Sequence, residues 1–404
     1  MFTLKNSCVY MNNSPFINNK GQLKLCCKNN TYTMEGNIKT HSLKEMYFSS
    51  LYNELRDKML AEKVIEGCDI CYSQEARNED SFRIRALTNI TREDRDKIVP
   101  LPKVKIQNLD LRIGSTCNLM CSMCHPTDSS KWYANYETFA KEVHNKSDNH
   151  VNIIKSTNIP TDLNWATYDE SWDNIFKSID DELNFVYIAG GEPFYIKKFP
   201  EYLTHLIEKS PNAIIEINTN STAAIPEKYL DKLKGKLQLR ISIDGFRKTE
   251  EYQRAGTNWN EKIKIIDSYS KYFEIKCFDI TLTSFTIRSL PSLVSFLENR
   301  YPKVRFLFRP VVNRQGQDIR CVPKKFLSHV KTFCKEKQEI INENKEMRWH
   351  YKNINQILNF LNQDYIDEKE TLQKLVKYWD DLTGIHFKSF DTEFGNWINE
   401  NHSS

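Results

Sequence analysis

The 404-residue sequence has no run of 18 uninterrupted apolar residues, so no membrane-spanning helix is expected. Its first residues, MFTLKNSCVYMNNSPF, lack a basic patch followed by an apolar core, so we expect no secretory signal and a cytoplasmic location. A strong excess of one charge is also missing, because 57 Lys and Arg residues face 53 Asp and Glu residues and leave a net charge of only +4. Nucleic-acid-binding proteins usually carry a basic face, so we expect neither a nucleic acid nor a membrane as partner.

Cysteine, in contrast, is plentiful, with eleven residues. In a reducing compartment disulfides are rare, so metal binding or catalysis is the expected use of these thiols. Five cysteines lie within the first 71 residues and three cluster near residue 120. The remaining three, Cys277, Cys321 and Cys334, are scattered late in the chain and are predicted to be small buried hydrophobic residues.

The segment STCNLMCSMCHP (115–126) places Cys117, Cys121 and Cys124 at the spacing C-x3-C-x2-C. Chance placement of eleven cysteines would give far fewer than one such triplet. Structural zinc requires four closed ligands, and His125 is an awkward fourth ligand because it directly follows Cys124. A [4Fe–4S] cube fits better, since three thiolates hold three irons and leave the fourth iron open to a substrate or cofactor.

This motif, which follows the strand-like segment NLDLRIG (108–114), resembles the signature of the radical S-adenosylmethionine (SAM) enzymes. In that family the open iron binds the amino and carboxylate groups of SAM. One electron from the reduced cluster then cleaves the sulfonium to methionine and a 5′-deoxyadenosyl radical, which abstracts hydrogen from the substrate. The resemblance implies that Cys117, Cys121 and Cys124 bind this cluster. Met123 stands where the family often has an aromatic residue, and its thioether can still pack against an adenine.

Further segments extend the resemblance to the SAM-binding residues of the family. NFVYIAGGEPFY (184–195) contains the GGEP element that binds the SAM amino group, which implies roles for Gly190, Gly191 and Glu192; a strand-end turn with a solvated glutamate is the alternative. Two later strand-like segments, AIIEINTNST (213–222) and LQLRISIDG (237–245), end in polar residues that resemble SAM contacts, namely Asn218, Asn220, Ser242 and Asp244. Strand-end capping is an open alternative for the two asparagines. Arg254 resembles an arginine that reaches the SAM carboxylate, with a surface salt bridge as the alternative.

Alternating strands and helices predict the fold class. Six apolar segments between residues 109 and 312 read as strands, with helical segments near 200–209, 226–234, 260–272 and 289–299 between them. Such βαβ units give an α/β fold with a parallel sheet. The resemblance implies a partial (β/α)6 radical SAM barrel over residues 100–315, with ligands at the carboxyl ends of its strands.

Two regions around this core are less regular. The segment of about 127–183 is too long for an ordinary crossover and is predicted to be an insertion. It either covers the active-site mouth or grips the substrate, or it is a helical elaboration that packs outside the barrel. Residues 316–404 are predicted to be a helical extension, with one amphipathic helix over 371–387 that Gly384 ends. We expect its aromatic side chains to pack against the core rather than to form a site: Trp379, Phe387, Phe390 and Trp397.

The amino-terminal cysteines form a second pattern, in which Cys8, Gly21, Cys26, Cys68 and Cys71 resemble the SPASM/twitch auxiliary-cluster domains of radical SAM enzymes. The resemblance implies a domain over residues 1–95, in which four thiolates hold a second, auxiliary [4Fe–4S] cluster. Cys27 is an alternative to Cys26 as a ligand, and a four-thiolate zinc site is an alternative to the cluster. KGQLKLCC predicts a β-hairpin with Gly21 in its turn.

The resemblance implies a function as well. Enzymes with this pair of domains most often modify ribosomally made peptides or proteins by hydrogen abstraction, and they receive electrons from a donor such as flavodoxin or ferredoxin. A small-molecule dehydrogenase acting on an aminocyclitol-type alcohol is the first alternative. A non-catalytic, metal-stabilised binding protein is the second, and it predicts zinc rather than iron.

Overall fold

The computed structural model describes residues 8–29, 31–77, 81–85, 104–143 and 163–400. The predicted boundary at residues 95–100 and the middle of the predicted insertion 127–183 lie outside these ranges. No helix in the described part of the chain combines the length and apolar character needed to cross a membrane. The chain divides into two compact units, the first comprising Met1–Thr116, Thr161–Ile217 and Glu227–Leu237, and the second Cys117–Pro160, Asn218–Pro226 and Gln238–Ser404.

The strands in chain order are β1 (Phe16–Ile17), β2 (Leu23–Lys24), β3 (Asn108–Arg112), β4 (Met120–Cys121), β5 (Phe185–Ala189), β6 (Ile214–Thr219), β7 (Leu237–Ser242), β8 (Arg254–Ala255), β9 (Glu274–Leu282), β10 (Arg305–Pro310) and β11 (Tyr351–Lys352). The α-helices are α1 (Val9–Asn13), α2 (Leu43–Tyr47), α3 (Ser50–Leu60), α4 (Asp69–Ala76), α5 (Phe82–Arg85), α6 (Tyr136–Val143), α7 (Asp169–Phe176), α8 (Phe199–Lys209), α9 (Glu227–Leu233), α10 (Lys248–Gln253), α11 (Trp259–Tyr272), α12 (Leu290–Arg300), α13 (Ser328–Glu343), α14 (Met347–His350), α15 (Ile354–Asn362), α16 (Lys369–Thr383) and α17 (Thr392–Asn399).

In the first unit, β3, β5 and β6 lie side by side as parallel strands. Leu109 pairs with Val186, which pairs with Ile215, and all three side chains are buried. Alternate residues of β3 are buried because successive side chains of a strand point to opposite faces. β1 adds to β3 in parallel and β2 adds to β1 antiparallel, so the predicted hairpin is present, with Gly21 in its turn.

In the second unit, β7, β9 and β10 are the parallel strands. Phe278 of β9 pairs with Phe306 of β10, both fully buried, and β11 continues this sheet in parallel. β4 and β8 form a separate antiparallel pair. The α/β class is therefore confirmed, and so are the six predicted strands and the four predicted helices between them, with ends that differ by a few residues.

The aromatic residues of the irregular regions are core residues. Trp172 is fully buried in the first unit and stacks on Tyr202, with ring centroids 4.8 Å apart. In the second unit the buried Trp132 and Trp379 pack at 5.5 Å. Trp379 also donates a hydrogen bond to the carbonyl of Tyr252. The predicted packing of the carboxyl-terminal aromatics is thus confirmed for Trp379, and the three late cysteines are buried as predicted.

Candidate metal centres

The three clustered cysteines lie together in the loop after β3. Cys117 and Cys121 are buried, Cys124 is half-buried, and the three pack with Leu119 and Met123. Within this loop β4 pairs with β8, which places Cys121 opposite Arg254. The structure therefore brings the predicted cluster ligands into one loop and attaches that loop to a predicted SAM-binding residue.

Side chains from elsewhere in the second unit bind the carbonyl oxygens of this loop. Trp132 Nε1 donates to the Cys121 carbonyl at 3.0 Å, and Ser129 Oγ donates to the Leu119 carbonyl at 2.6 Å. Gln317 Nε2 donates to the Ser122 carbonyl at 2.8 Å. The Arg314 guanidinium donates to the Met123 carbonyl and lies 3.5 Å from the carbonyls on either side of it. These hydrogen bonds fix the backbone that carries the thiols.

Arg254 belongs to a buried ion pair rather than to the surface. Its Nε lies 2.7 Å from Asp244 Oδ2, and its Nη1 donates to Cys121 Sγ at 3.6 Å. Burial by itself lowers the pKa of Arg254, but the nearby Asp244 and Cys121 raise it well above its usual range, so the guanidinium stays charged. Burial raises the pKa of Asp244 to about 6, while Arg254 acts in the opposite direction. The positive charge of Arg254 is thus held beside a candidate cluster ligand.

Two further charges hold the end of β7, and sequence reasoning missed both. Glu250 accepts from the backbone N–H groups of Asp244 and Gly245, at 2.7 and 3.0 Å. Its other oxygen accepts from Lys262 Nζ at 2.5 Å, and Lys262 also donates to the Ser242 carbonyl at 2.7 Å. Glu250 and Lys262 are completely buried, so Lys262 depends on Glu250 as its counter-ion, whereas Glu250 also has Arg254 Nε 3.7 Å from its Oε1. Together they set the position of Ser242 and Asp244, two predicted SAM contacts.

The two asparagines at the carboxyl end of β6, Asn218 inside the strand and Asn220 just after it, differ in their surroundings. Asn220 donates to Asn118 Oδ1 at 3.0 Å and lies 3.9 Å from Cys117 Sγ, so it is tied to the thiol loop. The Oδ1 atom of Asn218 is buried and has no hydrogen-bond partner among the described residues. Because an unpaired buried acceptor is costly, this atom fits a ligand that donates a hydrogen bond. Met123, the predicted adenine contact, accepts a hydrogen bond at its sulfur from Gln253 at 3.5 Å.

The GGEP element, in the first unit, makes close backbone contacts with the chain itself. Gly191 has φ +53°, and a Cβ added there would lie 2.3 Å from the Thr116 carbonyl oxygen. A Cβ on Gly190, at φ +98°, would lie 3.0 Å from the Gly114 carbonyl oxygen. Glu192 is buried, its N–H donates to the Thr116 carbonyl at 2.8 Å, and its Oε1 accepts from the Phe194 N–H. The glycines therefore let this element pack against the residues that directly precede Cys117.

The amino-terminal cysteines converge on one cavity. Cys8, Cys26, Cys68 and Cys71 all line it, together with apolar and aromatic side chains. Cys27 is not part of the lining; burial raises its pKa to about 11, with nearby Asp110 adding to the effect. Burial also raises the pKa of Cys8 to about 12. The cavity thus groups the four thiols that sequence analysis selected and leaves Cys27 outside.

Two nitrogens donate to the sulfurs around this cavity. The Lys28 N–H lies 3.4 Å from Cys26 Sγ, and Asn29 Nδ2 lies 3.6 Å from Cys68 Sγ. Such N–H···S contacts are typical of thiolates that hold iron–sulfur clusters, where they stabilise negative charge on sulfur. Within the described ranges, no group of three or more His, Cys, Asp or Glu side chains is placed to hold a single metal ion. In a four-iron cube each thiolate binds its own iron, so thiols that surround a cavity fit that group.

Comparison with known proteins assigns both regions. Residues 111–297 match the family model of the radical SAM superfamily, and residues 8–72 match the model of an iron-sulfur cluster-binding domain, SPASM. A curated relative, the GTP 3′,8-cyclase of Nautilia profundicola, is 21% identical over 207 residues, which cover 50% of this chain and 56% of the cyclase.

Solved structures give low-scoring matches. Native anSMEcpe with bound AdoMet is 19% identical with a TM-score of 0.37, over 59% of this chain and 62% of that chain. Streptococcus suis SuiB bound to precursor peptide SuiA is 14% identical with a TM-score of 0.35, over 80% of this chain and 69% of that chain. The chain thus spans less than two thirds of the cyclase and of the anSMEcpe chain. On the two family matches, the chain belongs to the radical SAM superfamily, whose enzymes use SAM and [4Fe–4S] clusters, and it carries an iron–sulfur cluster-binding SPASM domain at its amino-terminal end.

Proposed function

We propose that this enzyme abstracts a hydrogen atom from a peptide or protein substrate and so modifies it covalently. A [4Fe–4S] cluster held by Cys117, Cys121 and Cys124 would supply the chemistry, namely the one-electron reduction of SAM to methionine and a 5′-deoxyadenosyl radical. The observation that carries the proposal is the loop with Cys117, Cys121 and Cys124, whose backbone is fixed on several sides and whose Cys121 contacts Arg254.

In this proposal the protein holds the cofactor rather than reacting itself. The three thiols bind the SAM cluster, and Asp244 keeps Arg254 in place as a fixed positive charge close to Cys121. Asn218 Oδ1 offers a buried acceptor to a donor group of SAM. The remaining proposed SAM-binding residues are Met123, Gly190, Gly191, Glu192, Asn220, Ser242 and Asp244.

The auxiliary cluster is proposed to bind through Cys8, Cys26, Cys68 and Cys71. The shared cavity supports this set, and it favours Cys26 over Cys27 because only Cys26 lines it. Four thiolates complete the coordination of a cube, which leaves no open iron for a substrate. We therefore assign this cluster to electron transfer.

The SPASM domain supports a polypeptide substrate, because enzymes that resemble this chain in having an auxiliary-cluster domain most often act on peptides. The second candidate is a small-molecule substrate, such as an aminocyclitol alcohol. It is supported by the curated relative, whose name, GTP 3′,8-cyclase, gives a nucleotide as its substrate.

The cofactor assignment is tested by anaerobic reconstitution with iron and sulfide. We expect about eight irons in the parent protein and about four in a Cys117→Ala/Cys121→Ala/Cys124→Ala variant, which should form no 5′-deoxyadenosine from SAM and dithionite. In a matched control, three buried cysteines far along the chain are replaced by alanine: Cys277, Cys321 and Cys334. This control variant should keep about eight irons. If the first variant still cleaves SAM, or if zinc replaces iron, the proposal is wrong.

The substrate assignment requires a different experiment. Short peptides encoded beside the gene are incubated with the reconstituted enzyme, SAM and either dithionite or a flavodoxin or ferredoxin reducing system. A change in peptide mass that accompanies 5′-deoxyadenosine formation supports the peptide proposal. Acceleration of 5′-deoxyadenosine formation by aminocyclitols alone, with every peptide unchanged, would favour the small-molecule candidate.

A further inference from the structure

The cavity lined by the four amino-terminal thiols also contains a cationic side chain. Arg83, at the second position of the short helix α5, lines it together with Cys8, Cys26, Cys68 and Cys71. Arg83 is buried, with only 5% of its surface exposed. The resemblance of the amino-terminal region to SPASM/twitch domains depends on cysteines and Gly21, and it assigns no role to this arginine.

Arg83 is firmly held in this position. Its Nε and Nη2 donate to the two oxygens of Glu75 at 2.8 and 2.6 Å, a bidentate ion pair that fixes the plane of the guanidinium. Its Nη1 donates to Met59 Sδ at 3.4 Å, and the guanidinium lies 5.5 Å from the centre of the Tyr72 ring. Glu75 belongs to α4, four residues after Cys71, so one helix carries both a thiol and the carboxylate that anchors Arg83.

The two charged side chains, Arg83 and Glu75, differ in whether they line the cavity that the thiols surround. Arg83 is part of the cavity lining, whereas Glu75 is not. Glu75 also has a second partner, because its Oε1 accepts a hydrogen bond from Ser81 Oγ at 2.5 Å. A group bound by the four thiols therefore meets the guanidinium first and the carboxylate behind it.

We propose that Arg83 raises the reduction potential of the auxiliary [4Fe–4S] cluster. This inference rests on the proposed function, because it requires that the four thiols bind that cluster. Reduction adds one electron to a group that already carries four thiolates, and a nearby fixed cation stabilises the more negative state. Little water reaches a buried guanidinium, so its charge is only weakly screened.

The consequence for the reaction is a direction of electron flow. A cluster with a raised potential accepts an electron more readily, and gives one up less readily, than the same cluster without the nearby cation. It would gain one electron as the substrate radical loses one electron, with the proton passing to solvent, which completes a two-electron oxidation of the substrate. The structure thus favours electron uptake over electron delivery by the auxiliary cluster.

The test measures the potential directly and does not depend on turnover. In the full-length Cys117→Ala/Cys121→Ala/Cys124→Ala background, the auxiliary cluster is the remaining cluster, and its reduced signal is followed by electron paramagnetic resonance during a titration with dithionite. We expect Arg83→Met to lower the ratio of reduced to oxidised cluster about tenfold at a fixed potential, which corresponds to a shift of about 59 mV for one electron. Arg83→Lys, which keeps the charge, should shift it less.

A second variant keeps the inference testable if Arg83→Met fails to bind iron. Glu75→Gln removes the opposing negative charge and should move the potential in the opposite direction, upward. A potential that stays the same or falls in Glu75→Gln, or that stays the same in an iron-loaded Arg83→Met, overturns the role of Arg83. If the background protein itself binds no cluster, the auxiliary-cluster part of the proposed function fails instead.

Discussion

Lys262→Met is the substitution that best tests the buried charges beside the proposed SAM site. The ammonium of Lys262 is completely buried and lies 2.5 Å from Glu250 Oε1 and 2.7 Å from the Ser242 carbonyl. Methionine preserves most of the side-chain volume but removes the charge. Glu250 would then be a completely buried carboxylate that has lost its closest cation.

The expected cost follows from the burial of the pair. Breaking a buried ion pair by removing one partner costs about 3–5 kcal/mol, because an uncompensated charge stays in the interior. Lys264, two residues further along α11, forms a similar contact with Glu261 at 2.8 Å, but 71% of its side chain is exposed. Exposed pairs of this kind contribute about 0.2–0.5 kcal/mol. The same substitution at the two positions should therefore differ roughly tenfold in its effect.

Urea unfolding followed by tryptophan fluorescence measures both variants, and Trp259 at the start of α11 reports from the same helix. A Glu250→Gln/Lys262→Met double variant should regain part of the lost stability, since it removes both charges. The reasoning is refuted if Lys262→Met and Lys264→Met each lower the free energy of unfolding by less than about 1 kcal/mol.

Three other predictions follow from single contacts. Gly191→Ala should lower the free energy of unfolding in urea by more than about 3 kcal/mol, because the added Cβ would lie 2.3 Å from a carbonyl oxygen. The control is Gly235→Ala, since Gly235 has φ +71° and nothing lies within 4 Å of an added Cβ. It should lower the free energy of unfolding by only about 1–2 kcal/mol. Burial raises the pKa of Asp110 to about 6, above its unfolded value of about 4, so stability from this carboxyl is full below pH 4 and is lost as the pH rises through 6. Asp110→Asn should flatten that pH dependence, and an unchanged slope would contradict the assignment. Arg314→Met should reduce the iron retained by the SAM site after a desalting column and leave the SPASM iron unchanged, whereas equal loss from both sites would point to general unfolding.

The sequence predicted the parts of the fold that depend on local pattern. Strands such as β5 and β7 are short apolar runs that end in glycine or polar residues, and these are visible without any knowledge of the partners. The spacing of the cysteines likewise indicated the thiol loop, because all three thiols lie within eight positions. The roles of the individual residues in binding SAM stay predictions until the variants are made.

What the sequence could not predict depends on long-range partners. Arg314 and Gln317 bind carbonyls of the thiol loop almost 200 positions earlier, and nothing in the polar segment around them indicates that partner. Glu250 and Lys262 occupy helices with many charged residues, in which burial alone distinguishes them. The segment of about 127–183 was predicted only as an insertion, and nothing in it indicated that its Trp132 is fully buried and donates a hydrogen bond to the Cys121 carbonyl.

The carboxyl-terminal helix α16 has a practical consequence for anyone who trims this protein. Trp379 of this helix packs against Trp132, and the Trp132 indole donates a hydrogen bond to the Cys121 carbonyl. Trp379 itself donates a hydrogen bond to the carbonyl of Tyr252, two residues before Arg254. A fragment that stops at residue 297, where the match to the superfamily ends, would omit both the α16 tryptophan and Arg314. Such a fragment would keep all three thiols but would lose side chains that hold the backbone of their loop. A truncated protein meant to keep this loop in place should therefore extend well past residue 297 and include α16.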